Sequence, residues 1–300
     1  MASGVAPAAQ KAAPPRWQAD AALALVALVW GSTFVVVKQA LEGISTVYFL
    51  AIRFSLASVC LLLIFWGVFR RMPSRALWRG IGRGAVAGLF LWSGYILQTF
   101  GLKYTSAGKS GFLTGLYIVL VPVIGAIVYR KPAQAREVAG VGLAGAGMVV
   151  MTFPSVKGSF QMNRGDLLTL GCAVAFAFHL LVLGYYSQRE KFEAVALGQI
   201  ACAALLSICS LTVEAPKADW NAGVVFAILL TAVFATAVAF ALQTWGQQYT
   251  TATRTALIFA LEPVIALATA VLAGGEKLTL AAVSGGSLIL AGILTVELKG

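Results

Sequence analysis

Charge is scarce in this chain. Asp, Glu, Lys and Arg make up 11% of its 300 residues, where soluble domains carry roughly 25%, so there is too little polar surface to keep a domain of this size in water. Acids are scarcer than bases, 11 against 22. The net charge of +11 would suit nucleic acid, but the bases fall in short gaps between apolar runs and form no continuous patch, which excludes that partner. His179 is the single histidine, and paired carboxylates at shared depth are lacking, so an intramembrane enzyme has no catalytic or metal cluster to draw on. The four cysteines, Cys60, Cys172, Cys202 and Cys209, sit in apolar runs without CxxC or Cys/His spacing, which leaves no disulfide framework or metal site. A Walker-type glycine loop is missing, which argues against a fused ATPase, and no cofactor is expected. Residues 1–19 hold no apolar stretch that could act as a signal-peptide core and read as a disordered cytoplasmic tail.

What the chain does have is hydrophobic length. Sixty per cent of the residues are hydrophobic and the mean hydropathy is +0.88. Runs of about 17 to 25 mainly apolar residues can cross a bilayer as helices, and ten are expected: 20–39, 46–68, 79–102, 107–129, 137–153, 166–187, 194–214, 222–247, 252–273 and 279–297. The connections are too short for a soluble domain, so the fold class is all-α integral membrane. With the N-terminus in the cytoplasm, the loops on that side collect roughly twice as many Lys and Arg as those opposite, which places both termini inside. Gly80, Gly84 and Gly88, then Gly111 and Gly115, follow the GxxxG spacing of close helix contacts, and Gly140, Gly142, Gly145 and Gly147 mark another packing helix.

The segment Leu97-Gln98-Thr99-Phe100-Gly101-Leu102-Lys103-Tyr104-Thr105 returns as Leu242-Gln243-Thr244-Trp245-Gly246-Gln247-Gln248-Tyr249-Thr250, six of nine positions being identical. At nearly the same offset Asp20 matches Asp166, Trp30 matches Phe176, Arg53 matches Gln199, Lys109 matches Arg254, and Gly140 and Gly147 match Gly285 and Gly292. The chain is thus a duplication, 20–153 and 166–297. Five spans per half is an odd number, so the halves are expected to be inverted repeats, an arrangement that supports alternating access.

These residues also resemble a known family. Trp30-Gly31-Ser32-Thr33-Phe34, Arg53 within Ile52-Arg53-Phe54-Ser55-Leu56-Ala57, the repeated Gln-Thr-aromatic-Gly segments, and Leu261-Glu262-Pro263-Val264 followed by Gly275-Glu276 look like the drug/metabolite transporter superfamily, EamA type. The resemblance extends over all ten spans and is strongest toward the YddG-type amino-acid exporters of the bacterial inner membrane. It implies export of small metabolites, amino acids foremost and aromatic ones among them. One departure is Arg130-Lys131, where the first half lacks the Gly-Glu pair that the second half carries at Gly275-Glu276.

A midplane site would be lined by groups that are costly to leave against lipid. The candidates for substrate contact are Trp30, Tyr95, Gln98, Tyr117, His179, Gln243 and Trp245. A glutamine amide can donate and accept, which suits both ends of an amino acid, yet the same amides could bond between helices. His179 could meet substrate or a proton, or be satisfied by a neighbouring helix. Arg53 and Glu262 are candidates for gating or coupling. Snorkelling explains Arg53 as well as a contact with a substrate carboxylate does, and Pro263 makes a structural role for Glu262 as reasonable as proton coupling. Trp66, Trp78 and Trp220 read as interfacial anchors. The partners are a small-molecule substrate and the lipid bilayer, and a monomer is compatible with all of this. Multidrug or nucleoside transport in the same superfamily is the alternative, and a non-transporting membrane interaction subunit the reading from another class.

Overall fold

The computed structural model describes residues 15–105, 107–130, 134–152, 162–272 and 278–297. Its helices are α1 Arg16–Gly43, α2 Thr46–Ile64, α3 Trp66–Arg71, α4 Ser74–Leu102, α5 Ala107–Gly115, α6 Tyr117–Tyr129, α7 Ala135–Thr152, α8 Arg164–Ser187, α9 Phe192–Cys209, α10 Ala222–Ala232, α11 Ala239–Gly246, α12 Ala252–Phe259, α13 Leu261–Leu272 and α14 Leu280–Glu297. Within the described residues the expected apolar runs fall largely on these helices, several of them on two or more consecutive segments. Six stretches among the described residues are long and apolar enough to cross a membrane: Thr46–Ile64, Ser110–Tyr129, Arg164–Ser187, Phe192–Thr212, Ala222–Gly246 and Ala252–Thr269, with Leu280–Val296 a shorter apolar helix. Leu63, Ile127, Leu205, Phe226 and Leu280 point outward, as expected of a protein whose solvent is lipid. Helix α1 opens at Arg16, inside the stretch 1–19 that the sequence suggests as a tail, and residues 1–14 lie outside the described residues.

Side chains set several helix ends. Asn163 and Asp166 form a reciprocal capping box at α8, Asn221 caps α10 through the Val224 N–H, and Thr251 caps α12 through the Arg254 N–H. Pro263 cannot donate to the Phe259 carbonyl four residues back, and its ring crowds that oxygen, so α12 stops at Phe259 and α13 restarts at Leu261. A corresponding break at Leu116 separates α5 from α6. Between α10 and α11 the backbone widens into a π-helical segment, Val233–Val238.

Packing repeats itself between the halves. Two pairs, α7 with α14 and α2 with α9, join helices that correspond in the two repeats; α6 packs on α12, the counterpart of its neighbour α5, and the packing of α4 on α8 is echoed by α1 on α11. The α7–α14 seam fixes a direction. A methyl group placed on Gly140 would lie 2.7 Å from the Gly292 carbonyl oxygen, and one on Gly292 2.5 Å from the Gly140 oxygen; Gly147 and Gly285 meet in the same reciprocal way at 2.5 Å. Moving up α7 from Gly140 to Gly147 moves down α14 from Gly292 to Gly285, so the two helices run antiparallel. Of the other glycines read as packing positions, Gly80, Gly84 and Gly88 press α4 against α9, and Gly115 meets Met148. Gly111 and Gly142 face open space, because their turns of helix point away from any neighbour.

Two apolar cores result. One joins α1, α6, α7, α8, α12 and α14; the other joins α2, α4, α9, α10 and the end of α1. Trp30 and Phe176 pack against both, and they are repeat counterparts.

Candidate functional site

A cavity of about 560 Å³ lies between the two cores. Trp30, Tyr95, Gln98, Tyr117, His179, Gln243, Arg53 and Glu262 all line it, together with Phe49, Phe176, Phe240 and Phe259. Trp245 does not. Two residues on from Gln243, it is turned by about 200° on the helix, and it packs against Tyr249 with ring centroids 5.4 Å apart. The Gln-Thr-aromatic repeat therefore locates the right turn of helix: its glutamine lines the cavity in both copies and Thr99 does so in the first, while the second copy's aromatic does not.

The walls are aromatic. Trp30 sits between Phe240 and Phe259, with centroids 5.2 and 5.1 Å away, and Tyr95 meets Phe54 and Phe176 edge-on at 5.2 and 5.6 Å. Gly31 makes this possible: a methyl there would lie 2.7 Å from the Glu262 carbonyl oxygen, so the glycine after Trp30 lets α13 close on α1. Edge-to-face rings of this kind prefer flat, partly apolar ligands.

The polar groups divide into sealed and open ones. His179 is 3% exposed; its Nε2 lies 2.8 Å from the Gln199 Oε1, and the Gln199 amide donates on to Thr244 at 2.9 Å. This chain ties α8 to α9 and α11, so the histidine borders the cavity while its Nε2 is occupied by protein. Gln98 donates to Thr114 at 3.2 Å. The Gln243 Oε1 is buried without a partner, an acceptor of the kind that substrate or water completes.

Arg53, only 4% exposed, does not snorkel. Its Nε donates to the Thr236 hydroxyl at 2.7 Å, and its Nη2 reaches the Ala235 carbonyl at 3.3 Å and the Tyr95 hydroxyl at 3.4 Å. Ala235 and Thr236 belong to the π-helical segment, and the same Ala235 carbonyl accepts the Trp30 indole N–H at 2.8 Å. A π-bulge turns a carbonyl away from the regular helical ladder, and here it holds both residues at the cavity wall. No local pattern in the sequence signals this bulge, and none marks Phe49 or Phe259 as part of the cavity lining.

The two ends of the cavity differ. Its lining reaches Glu42, Thr46, Lys103 and Thr105 at one end and stops short of Asp20 and Arg254 at the other. There the Arg254 guanidinium donates to both Asp20 oxygens, at 2.8 and 3.2 Å, with side chains only 5% and 15% exposed. Around this pair the Gln247 amide donates to the Leu180 carbonyl at 3.1 Å, and the Gln188 amide to Gln247 and Thr250 carbonyls, each at 3.2 Å. Arg79 and Arg83 both pair with Glu190 at the same end. At the open rim, Lys103 pairs with Glu214, whose other oxygen accepts the Val47 N–H at 3.0 Å. Burial works to raise the Glu214 carboxyl, but Lys103 and the Val47 and Thr46 N–H groups outweigh it and hold it below its usual range.

The EamA-like transporter family matches residues 17–153 and again 163–298, once for each half. The chain belongs to this family. A relative from Archaeoglobus fulgidus named as an uncharacterized transporter is 37% identical over 284 residues, covering 95% of this chain and 87% of its own. A Salmonella typhimurium protein named as a probable amino-acid metabolite efflux pump is 28% identical, covering 90% of this chain and 91% of its own. A solved crystal structure at 20% identity shares the fold, with a TM-score of 0.77 over 95% of this chain and 98% of that one. The protein is thus a multi-pass membrane transporter of the drug/metabolite superfamily, and family and relatives point to transport rather than catalysis.

Proposed function

We propose that the transporter exports small metabolites, chiefly amino acids and aromatic ones among them, by alternating access across the bacterial inner membrane. In this reading residues 20–153 and 166–297 are inverted repeats of five crossings each, ten in all, with both termini cytoplasmic. The observation that carries it is the antiparallel, reciprocal contact of α7 with α14, beside a cavity between the cores whose lining reaches Glu42 and Lys103 at one end and does not include the Asp20–Arg254 pair at the other. Corresponding helices that pack antiparallel are related by a two-fold axis perpendicular to their length, which for membrane helices lies in the membrane plane. With the N-terminus inside, the Asp20–Arg254 end is cytoplasmic and closed, and the mouth faces out. Helix breaks at Leu116 and Ala260 supply discontinuous segments beside the cavity, a recurrent feature of transporter sites. Amino acids are favoured by the name of the Salmonella relative and by aromatic walls combined with a few fixed polar groups.

Counterflow in proteoliposomes holding this protein alone tests the proposal. A labelled amino acid should accumulate against its unlabelled form, ahead of nucleosides and cationic drugs. Accumulation of a nucleoside or drug instead would replace the substrate assignment, and no flux of any of them would favour the interaction-subunit reading.

A further inference from the structure

Arg53 is a permanent charge set in the cavity wall, only 4% exposed. A guanidinium carries five N–H donors and does not lose its proton. Three of the five are spent on neutral oxygens, Nε on Thr236 and Nη2 on Ala235 and Tyr95. The two donors of Nη1 are bonded to no described residue, and the atom is not sealed away from the cavity. The Tyr95 hydroxyl, 3.4 Å from Nη2, accepts from the arginine and donates to no described residue, so its own proton is open as well.

No carboxylate balances this charge. Among the described residues none lies within ion-pair distance of Arg53; Glu262, which lines the same cavity, is farther off than that, and Glu42 sits at the mouth. The Tyr95 and Phe54 rings, with centroids 5.2 and 5.9 Å from the guanidinium carbon, offer π-faces but no negative charge. An unbalanced charge in a low-dielectric wall is costly. The repeat shows that packing does not demand it, since the counterpart of Arg53 is Gln199, a neutral amide satisfied by His179 and Thr244.

We propose that Arg53 and Tyr95 form a carboxylate receptor, with Nη1 and the Tyr95 hydroxyl donating to a substrate carboxylate, and that this contact selects acids over neutral ligands of the same shape. The inference rests on the reading of this cavity as the substrate site and names the chemistry by which substrate is held there. Nη1 and Nη2 share one carbon and the hydroxyl is 3.4 Å from Nη2, so the open donors lie within the span of one carboxylate. Thr236 and Ala235 fix the guanidinium in advance, which leaves little ordering for binding to impose. The Ala235 carbonyl also accepts the Trp30 indole N–H, which sets that ring beside Arg53 and gives the group attached to the carboxylate an apolar wall. Phosphate is a poorer match, because a dianion calls for a second cation. The other cation among the described lining residues, Lys103, is held at the mouth by Glu214.

The test is equilibrium binding to the purified protein in nanodiscs with two matched pairs of probes, L-phenylalanine against L-phenylalaninamide and 3-phenylpropionate against 3-phenylpropanamide. Mildly acidic pH keeps both amines protonated, so each pair differs in the carboxylate alone. The wild-type protein should bind the acid of each pair at least about tenfold more tightly than its amide. Arg53→Gln should cut that preference to about threefold or less by weakening the acids while the amides hold. Tyr95→Phe, which keeps the ring, should remove about threefold of it. The wild-type comparison stands even if a variant fails to fold. Equal binding of acid and amide to the wild-type protein overturns the proposal, as does an Arg53→Gln variant that weakens both alike, the mark of a packing or gating role. Phenylalanine that undergoes counterflow yet binds no better than its amide sinks only this inference. Phenylpropionate preferred over its amide, with no amino acid bound or carried, sinks only the amino-acid reading, and failure of both acids to bind sinks the two together.

Discussion

Gly140 of α7 and Gly292 of α14 each press against the other's carbonyl oxygen, so that neither position has room for a methyl group. Because the two residues sit on corresponding helices of the two repeats, this seam joins half to half. Replacing Gly140 with Leu should therefore cost more than the 1 to 3 kcal/mol usual for overpacking, since backbone rather than side chain must move. Leu at Gly142, which faces open space, should be tolerated. Thermal unfolding in detergent, followed by monodispersity, checks the pair; equal melting of both variants would deny the seam its role.

Gly84 makes the same point at the α4–α9 contact, where a side chain would collide with the Val195 backbone. Gly84→Leu should lower the yield of folded protein while leaving the relative affinities of different substrates unchanged in whatever protein survives.

Gln98 and His179 are expected to part company. Gln98→Ala removes an amide at the cavity wall and should weaken substrate several-fold, about 1 kcal/mol, with little change in melting temperature. His179→Ala removes the partner of Gln199 and leaves a buried amide unsatisfied, so it should cost about 1 to 3 kcal/mol in stability as well as flux. Flux and unfolding measured on the same preparations separate the two. Trp245→Ala should leave substrate affinity alone, because its ring packs on Tyr249 away from the cavity.

Arg130 ends α6 with φ of 52°, the left-handed conformation that glycine takes most easily. The sequence marks this as the place where the Gly-Glu pattern of the second half is missing. Arg130→Gly should therefore stabilise the protein by about 1 kcal/mol, seen as a higher melting temperature; a lower one would show that the arginine side chain contributes more than its backbone costs.

Acid should loosen the rim. The folded protein holds the Glu214 carboxyl below its ordinary value of 4.5, so its stabilising contribution is complete above that pH and is lost as the pH falls through the folded value. Both partners are partly exposed, and the contribution is at most about 1 kcal/mol. Glu214→Gln should shift the acid limb of the stability curve and leave the curve from pH 6 to 8 unchanged in shape.

The helices, the duplication and eight of the cavity-lining residues, Trp30, Arg53, Tyr95, Gln98, Tyr117, His179, Gln243 and Glu262, are legible in the sequence because apolar length, polar groups within apolar runs and repeated Gln-Thr-aromatic segments are local signals. Facing was harder to read: Gln243 and Trp245 stand two residues apart, and only helical geometry separates the one in the cavity from the one outside. The placement of Arg53 depends on a π-helical segment at Val233–Val238 that has no sequence mark, so the sequence alone does not separate snorkelling from a buried contact. The pairing of Asp20 with Arg254 joins positions more than two hundred residues apart, and nothing in either neighbourhood announces it. Gly275-Glu276 lies outside the described residues.

The Asp20–Arg254 contact closes one end of the cavity, and breaking one partner of so buried a pair costs about 3 to 5 kcal/mol. Asp20→Asn should therefore populate the state open at that end, raising the labelling of a cysteine placed at Leu180 by a membrane-impermeant thiol reagent supplied on the Asp20–Arg254 side alone.

The central claim is that substrate crosses through the cavity by opening this closed end between the halves. In a chain whose four cysteines are replaced, Asp20→Cys with Arg254→Cys can be bridged by a short bis-methanethiosulfonate and released by reductant, with amino-acid counterflow read before and after. Flux that stops on bridging and returns on reduction is the predicted result; flux that continues through the bridged protein would contradict the account.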